Sequence, residues 1–368
     1  GLNNRNENHF VEKINSKVPF IGGGLFEYFE GYDWKKETLD IPNTFFSNNE
    51  RNGILDIFDL YNFTVDEHED FDVDIAIDPE MLGKVFENLL PDNIRKGEGS
   101  YYTPRTIVNY MCECSLIHHI HLNLNGDINH EKIKKFVKAT DFDIFKEENF
   151  KINAERIDKI LENIKICDPA IGSGAFAVSI VNLIAKLRVV LRDHVKRKYK
   201  NSSYYFKRDC IQNSIYGVDL DSSAVEITKL RLWLSLIVDE DDFSKTEPLP
   251  NLDFQILQGN SLINRIDGYN FQHLNIQKED YQFELLPNNV WEAFSKVKND
   301  FIKLKKKYFN MKNFKNKNET KKKIDELLIE LTGLAFSLRS TWDKNNNLND
   351  IKFNKIRSYK NFFLWKLY

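Results

Sequence analysis

The 368-residue sequence has no uncharged apolar stretch of the ~20 residues that a membrane-spanning helix needs. It also lacks a strong charge: 52 Lys and Arg against 55 Asp and Glu leave a formal net charge of −3, so a polyanion would have to be held by a local basic patch and not by the field of the whole chain. Cysteine is scarce. The four present show no disulfide-framework spacing, and no charged-then-apolar leader opens the chain, which together point to a reducing, cytoplasmic setting. Sixteen Gly and nine Pro are too few for a low-complexity chain. The first residue is Gly1 and not Met, which points to a processed or shortened N-terminus.

The chain is longer than one core usually organises, since domains run ~50 to 250 residues, and three regions are expected. Residues 1–98 read as a mostly helical N-terminal region. Within them the glycines of Ile21-Gly22-Gly23-Gly24-Leu25-Phe26 suit a tight turn, with no Lys-Ser/Thr following as a P-loop demands. An acidic stretch over 66–74 precedes Asp78-Pro79-Glu80, which opens an amphipathic helix over 81–90 with an acid at the cap and Pro at the first helical position.

Residues 99–265 carry the clearest pattern. Gly99-Ser100-Tyr101-Tyr102-Thr103-Pro104 reads as a turn running into a helix, with Thr103 able to cap and Pro104 at the first helical position. A helical stretch over 125–163 leads to a short buried strand, 164–167, that stops at Asp168. A long helix over 174–198, a strand over 215–218, a helix over 222–237 and a strand over 254–257 follow. Strand, glycine turn, helix, strand, helix is the start of a doubly wound α/β unit. Residues 266–368 read as helical and lysine-rich, with an antiparallel pair over 290–309 and 321–338 joined by the polar segment 310–320.

The chemistry centres on Asp168-Pro169-Ala170-Ile171-Gly172-Ser173-Gly174-Ala175-Phe176, a glycine loop between a strand and a helix. Glycines admit a ligand where a Cβ would clash, and the helix N-terminus supplies free N–H donors. Asp168 would repel a pyrophosphate but attract an ammonium or sulfonium group, so S-adenosyl-L-methionine fits better than NAD. Asp219, at the end of the second strand in Gly217-Val218-Asp219-Leu220-Asp221, can accept two hydrogen bonds from ribose hydroxyls. Its offset from Gly174 exceeds the ~20 residues of a dinucleotide fingerprint, which weakens NAD further. Asp221 sits where a helix cap belongs.

With DPAIGSGAF, GVDLD, QGNSL and the upstream GSYYTP, the chain resembles the adenine-specific DNA methyltransferases, with motifs I, II, III and X in the gamma-type order. IDPEMLGKVFENLL and GGGLFE resemble the methyltransferase half of large single-chain type IIG restriction-modification enzymes more than the modification subunits of type I systems. The resemblance covers residues 21–262; the last hundred residues match less distinctly. It implies a Rossmann-like fold in which Tyr101, Tyr102, Thr103 and Pro104 line the cofactor. Asp168, Ala170, Gly172 and Gly174 would surround its methionine moiety, with Phe176 packed nearby. Asp219 would take the ribose hydroxyls and Leu220 the side of the adenine. Asn260 stands where the family more often has Asp, and its amide carbonyl can still accept a hydrogen bond.

One departure is large. The family takes the flipped adenine at an Asn/Asp-Pro-Pro-Tyr/Phe motif, and no Pro-Pro pair occurs among the nine prolines. The terminal Asn361-Phe362-Phe363-Leu364-Trp365 resembles the segment just upstream of that motif, so a fragment with no catalytic residues of its own is expected. Its DNA contacts belong to the full-length protein. The alternatives are a non-catalytic module that uses the fold for DNA or partner contacts, and a type I modification subunit. Cys112, Cys114, His118, His119 and His121 cluster, but Cys-x-Cys is not a usual zinc spacing, and no metal site is expected. Pro91-Asp92 with Glu98 lacks the lysine of a nuclease motif, Ser100 standing in its place. Residues 303–323 hold ten lysines interleaved with Tyr308, Phe309 and Phe314, which suits either nucleic acid or a solvated helical pair.

Overall fold

A computed structural model describes residues 41–60, 103–138, 148–195, 202–237, 250–263, 288–311 and 314–340, with the short pieces 9–11, 16–18, 62–64, 74–76, 83, 265–266 and 269–270. Before residue 98 it describes β1 (His9–Val11) antiparallel to β2 (Ser16–Val18), helix α1 (Ile54–Leu60), and β3 (Asn62–Thr64) parallel to β4 (Asp74–Ala76). Asp56 organises the turn before α1, accepting from Ser47 Oγ (2.7 Å) and from the N–H groups of Asn48 (2.9 Å) and Gly53 (3.1 Å). The predicted turn at 21–26 and nearly all of the helix at 81–90 lie outside the described residues; Gly83 is helical and buried.

Helix α2 (Arg105–Asn123) buries Val108, Cys112, Leu116 and Ile120, a strict four-residue spacing that makes one apolar stripe. The expected Thr103 cap is corrected. Pro104 itself is the cap residue, with no side-chain cap bond, and its carbonyl accepts from Ile107 N–H at 2.9 Å. A proline fixed near φ −55° with an extended ψ already turns the chain into the helix, leaving the threonine hydroxyl one position too early to reach the first turn. Helix α3 (His130–Val137) is capped by Asn129, and α4 (Glu148–Asn163) buries Phe150, Ala154, Ile157 and Leu161.

The central unit is β5 (Ile166–Asp168), α5 (Ala175–Leu191), α6 (Ser202–Asn213), β6 (Ile215–Asp219), α7 (Ser222–Ile237) and β7 (Ile256–Gln258). The strands form one parallel sheet in the order β5-β6-β7. Helix α5 is apolar nearly all round, as befits a helix enclosed by α2, α4, α6 and α7. It stops at Leu191, short of the expected 198, where Arg192-Asp193-His194 takes a single 3-10 turn and Val195 goes extended. Helix α6 was not anticipated. Its buried Phe206, Cys210 and Ile211 are interrupted by charged residues that nonetheless find partners inside, such as Lys207, which donates to the Ser235 carbonyl at 3.0 Å. Arg188 of α5, 1% exposed, binds Asp158 (2.8 Å), Glu162 (3.5 Å) and Asp209 (2.9 Å), pinning α4 and α6 to α5.

One face of the sheet, with Ile215 and Ile256, enters the core formed with α2 to α7; the other, with Val218 and Leu257, packs on α8 (Asn288–Phe309) and α9 (Phe314–Ser340). Strand β5 is less buried than predicted, since Cys167 is exposed. The sheet edge left without later strands is expected to be covered by a neighbouring molecule or by the C-terminal helices. They cover a face instead, and among the described residues no strand pairs with the outer edge of β5. The expected polar linker also shrinks, because α9 already begins at Phe314. Tyr308 and Phe309 are buried in the core and Lys317 lies beneath the surface, so in this run they serve packing and not an exposed stacking platform. Beyond β7, β8 (Arg265–Ile266) and β9 (Tyr269–Asn270) pair antiparallel.

Candidate cofactor site

The carboxyl ends of β5 and β6 bring Asp168 and Asp219 side by side, since Asp168 pairs in register with Gly217, two residues before Asp219. The loop after β5 is folded over the end of β6. Ile171 N–H donates to the Val218 carbonyl (3.0 Å), and its side chain lies where a Cβ on residue 217 would sit 2.2 Å from Ile171 Cδ1. Gly172 (φ +53°) and Gly174 (φ +85°) occupy the left-handed region that favours glycine. Gly174 N–H closes the turn on the Ile171 carbonyl at 2.9 Å, and α5 starts at the next residue with its first-turn N–H groups facing the loop end of the helix.

Helix α7 holds this turn from behind. Thr228 Oγ1 donates to the Gly172 carbonyl at 2.8 Å, and a Cβ on residue 174 would approach Thr228 Cγ2 to 2.8 Å. Thr228 was not singled out from sequence; in mid-helix it reads as an ordinary polar residue.

Asp219 does two things at once. Its Oδ2 accepts the Gly172 N–H (2.8 Å) and its Oδ1 the Asp221 N–H (3.0 Å), which leaves roughly half of a carboxylate's ~four acceptor positions for a ligand. Asp168 accepts from Ala170 N–H at 3.1 Å. Burial pushes the Asp168 carboxyl up, and the Asp219 charge adds to this against the Ala170 hydrogen bond. Among the described residues neither carboxylate has an ion-pair partner, so the site is electrostatically suited to a cation.

The other expected residues surround this centre to different degrees. The Asp219 carbonyl accepts Gly259 N–H at 2.8 Å, which sets Asn260 beside the end of β6; Asn260 is exposed and its Oδ1 accepts Leu262 N–H. Leu220 is 56% exposed. Phe176 is half-buried, its carbonyl receiving the Cys112 thiol of α2 at 3.9 Å, and Ser179 Oγ donates to Asn109 at 2.7 Å, so α2 runs against α5. Burial raises the Cys112 thiol, with Asp168 contributing, so α2 lies within the field of that carboxylate. Thr103 and Pro104 stand at the head of α2, whereas Tyr101 and Tyr102 lie outside the described residues. Among the described residues no three His, Cys, Asp or Glu side chains converge as a metal site would require.

Residues 213–366 match a family described as Eco57I restriction-modification methylase. The match begins at the end of α6 and takes in Asp219, Leu220, Asn260 and both C-terminal helices, so likeness to such enzymes extends well past residue 262, where the sequence motifs end. Over 287 residues the chain is 32% identical to a protein of Methanocaldococcus jannaschii named "Putative type II restriction enzyme and methyltransferase". That alignment takes in 74% of this chain and 23% of the relative, so the chain spans about a quarter of the relative's length. No solved structure matches it. The chain is thus related to restriction-modification methyltransferases, as its motifs suggested.

Proposed function

We propose that this chain is the cofactor-binding portion of an S-adenosyl-L-methionine-dependent, adenine-specific DNA methyltransferase of the type IIG restriction-modification class, cytoplasmic, and acting on double-stranded DNA as part of a longer protein. The observation that carries this reading is the pair of carboxylates at neighbouring strand ends, Asp168 and Asp219, flanking a left-handed glycine turn. Asp168 would face the cationic methionine end of the cofactor, beside Ala170, Gly172 and Gly174. The remaining acceptor positions of Asp219 suit ribose hydroxyls. Leu220 and Asn260 offer an apolar side and an amide for the adenine, and Tyr101, Tyr102, Thr103 and Pro104, with Phe176, would close the other side. Residues 99–265 form the binding unit in this reading, between an N-terminal region and the C-terminal helices. The cofactor would supply an electrophilic methyl group on sulfur.

Methyl transfer to the exocyclic amine of adenine needs acceptors for its protons and an aromatic face for the flipped base. Because the sequence has no Pro-Pro-aromatic motif, the chain alone is expected to transfer no methyl group; the same fact favours, as a second reading, a module that binds cofactor or DNA without catalysis. Calorimetry with S-adenosyl-L-methionine and its demethylated product tests the binding site. Asp219→Ala should weaken binding by ~1.5 to 3 kcal/mol, the range for hydrogen bonds to a charged group. Asp219→Asn, which can still accept one of the two backbone N–H bonds, separates the ligand role from support of the loop. Absence of binding to the intact chain, or unchanged affinity in both variants, would refute the site.

A further inference from the structure

Behind the glycine turn, one helical turn beyond Thr228, Arg231 of α7 is 2% exposed. Its Nη1 donates to both the Ser173 carbonyl (2.7 Å) and Ser173 Oγ (3.0 Å). Ser173 lies between the two left-handed glycines and is itself buried. Gly83, 148 residues earlier in the chain than Arg231, lies against this pair. A Cβ on residue 83 would lie 2.3 Å from Arg231 Nη1, 2.7 Å from its Cζ and 2.9 Å from Ser173 Oγ. An Arg tip is flexible in general. Here it cannot retreat without breaking its two bonds to Ser173 inside the protein.

We propose that Arg231, seated against Gly83, is a positioning residue that fixes the Gly172 to Gly174 turn, so that Gly83 sets cofactor affinity from behind the loop. Gly83 is helical, where Ala would ordinarily be more stable than Gly by roughly 0.5 to 1 kcal/mol. The glycine is explained by close approach, and the substitution that should help the helix should harm the turn. The cofactor part of this inference rests on the reading under Proposed function; the mechanical part concerns the turn alone.

The test is a double-variant cycle on the whole chain with two readouts: affinity for S-adenosyl-L-methionine by calorimetry, and amide hydrogen exchange of peptides covering residues 170–176. Gly83→Ala and Arg231→Met should each speed exchange in that window and weaken binding about tenfold, the loss of one or two hydrogen bonds to a charged group. Combined, they should fall well short of additive, because the added Cβ then meets only Ser173 Oγ, at 2.9 Å, and has no guanidinium to displace. Arg231→Lys should recover part of the affinity, and Ser173→Ala, which removes only the Oγ contact, should show a smaller loss. If the wild-type chain takes up no cofactor while exchange behaves as described, the cofactor reading fails and the clamp stands. The clamp is overturned if Gly83→Ala leaves exchange over 170–176 unchanged, or if the two substitutions act additively.

Discussion

Two aspartates near the strand ends have opposite surroundings. Asp253, just before β7, receives Tyr308 Oη at 2.6 Å and Lys321 Nζ at 2.8 Å on one oxygen and Lys229 Nζ at 3.3 Å on the other. Burial alone would raise its carboxyl, but the two lysines and the tyrosine outweigh it and hold it well below the usual range. Asp168, at the end of β5, has one backbone donor and a second carboxylate as neighbour, and burial pushes it up. The first arrangement is complete in itself and ties α7, α8 and α9 together. The second leaves a partly buried negative charge uncompensated among the described residues, which is a cost to folding that a bound cation would offset. A carboxylate's environment, and not its presence at a strand end, separates a structural site from a ligand site.

The largest test of this contrast is a third ionic cluster of the completed kind. Arg188→Met removes a cation shared by Asp158, Glu162 and Asp209 and takes that charge away from the buried Asp158. Chemical denaturation should show a loss of about 3 to 5 kcal/mol, the penalty for breaking a buried pair from one side. A loss below 1 kcal/mol would mean that water reaches the cluster.

Asp253→Asn comes next. Its amide can keep the Tyr308 contact but no longer offsets two lysines, so a cost of roughly 1.5 to 3 kcal/mol is expected at pH 7. The sign with pH follows from a depressed carboxyl. The stability it gives is fully present above the unfolded value near 3.8 and is lost as pH falls through its folded value. Wild type and variant should therefore converge in acid, and parallel acid-unfolding curves would contradict the assignment.

Much of this was readable in the residues. The span of α7, its Asp221 cap (Ser223 N–H to Oδ1, 2.8 Å) and the glycine loop after β5 follow from apolar spacing, an acid before Ser-Ser, and glycines between strand and helix. What could not be read depends on contacts between distant segments. Thr228 and Arg231 look like polar residues on an ordinary helix until the loop is folded against them, and the need for glycine at 83 exists only because Arg231 arrives there. Tyr308 and Phe309 sit in a lysine run whose composition suits nucleic acid, yet the partners that bury them, Phe254 and Arg208, come from elsewhere in the chain. Helix α6 was missed for the same reason.

A smaller effect is expected at Lys305, whose Nζ lies 4.6 Å from the centre of the Tyr216 ring. Burial, with Lys165 and Lys306 adding repulsion, brings it down to about 7. Between that value and its unfolded 10.5 the unfolded chain holds the extra proton, so wild-type stability should rise with pH over this window. Lys305→Met should flatten the rise and, by removing a charge that burial disfavours, raise stability at pH 7. A rise that persists in the variant would assign it to another group.

The smallest change in stability, and the one of opposite pH dependence, belongs to Asp168. Because its carboxyl is raised in the folded chain, the charged form is disfavoured there, and its contribution to stability declines as pH rises from 3.8 through the folded value. Asp168→Asn keeps an acceptor for Ala170 N–H while removing the charge that Asp219 opposes. The melting temperature at pH 7 should therefore increase slightly, whereas removing the charge of Asp253 lowers it. If the proposed site is right, the same variant should bind S-adenosyl-L-methionine at least about tenfold more weakly, one charge-assisted contact being worth that much. Its demethylated product, which lacks the sulfonium but keeps the amino group, should lose less. A variant that is both less stable and equally able to bind would place Asp168 with Asp253 among the structural acids and dissolve the contrast between them.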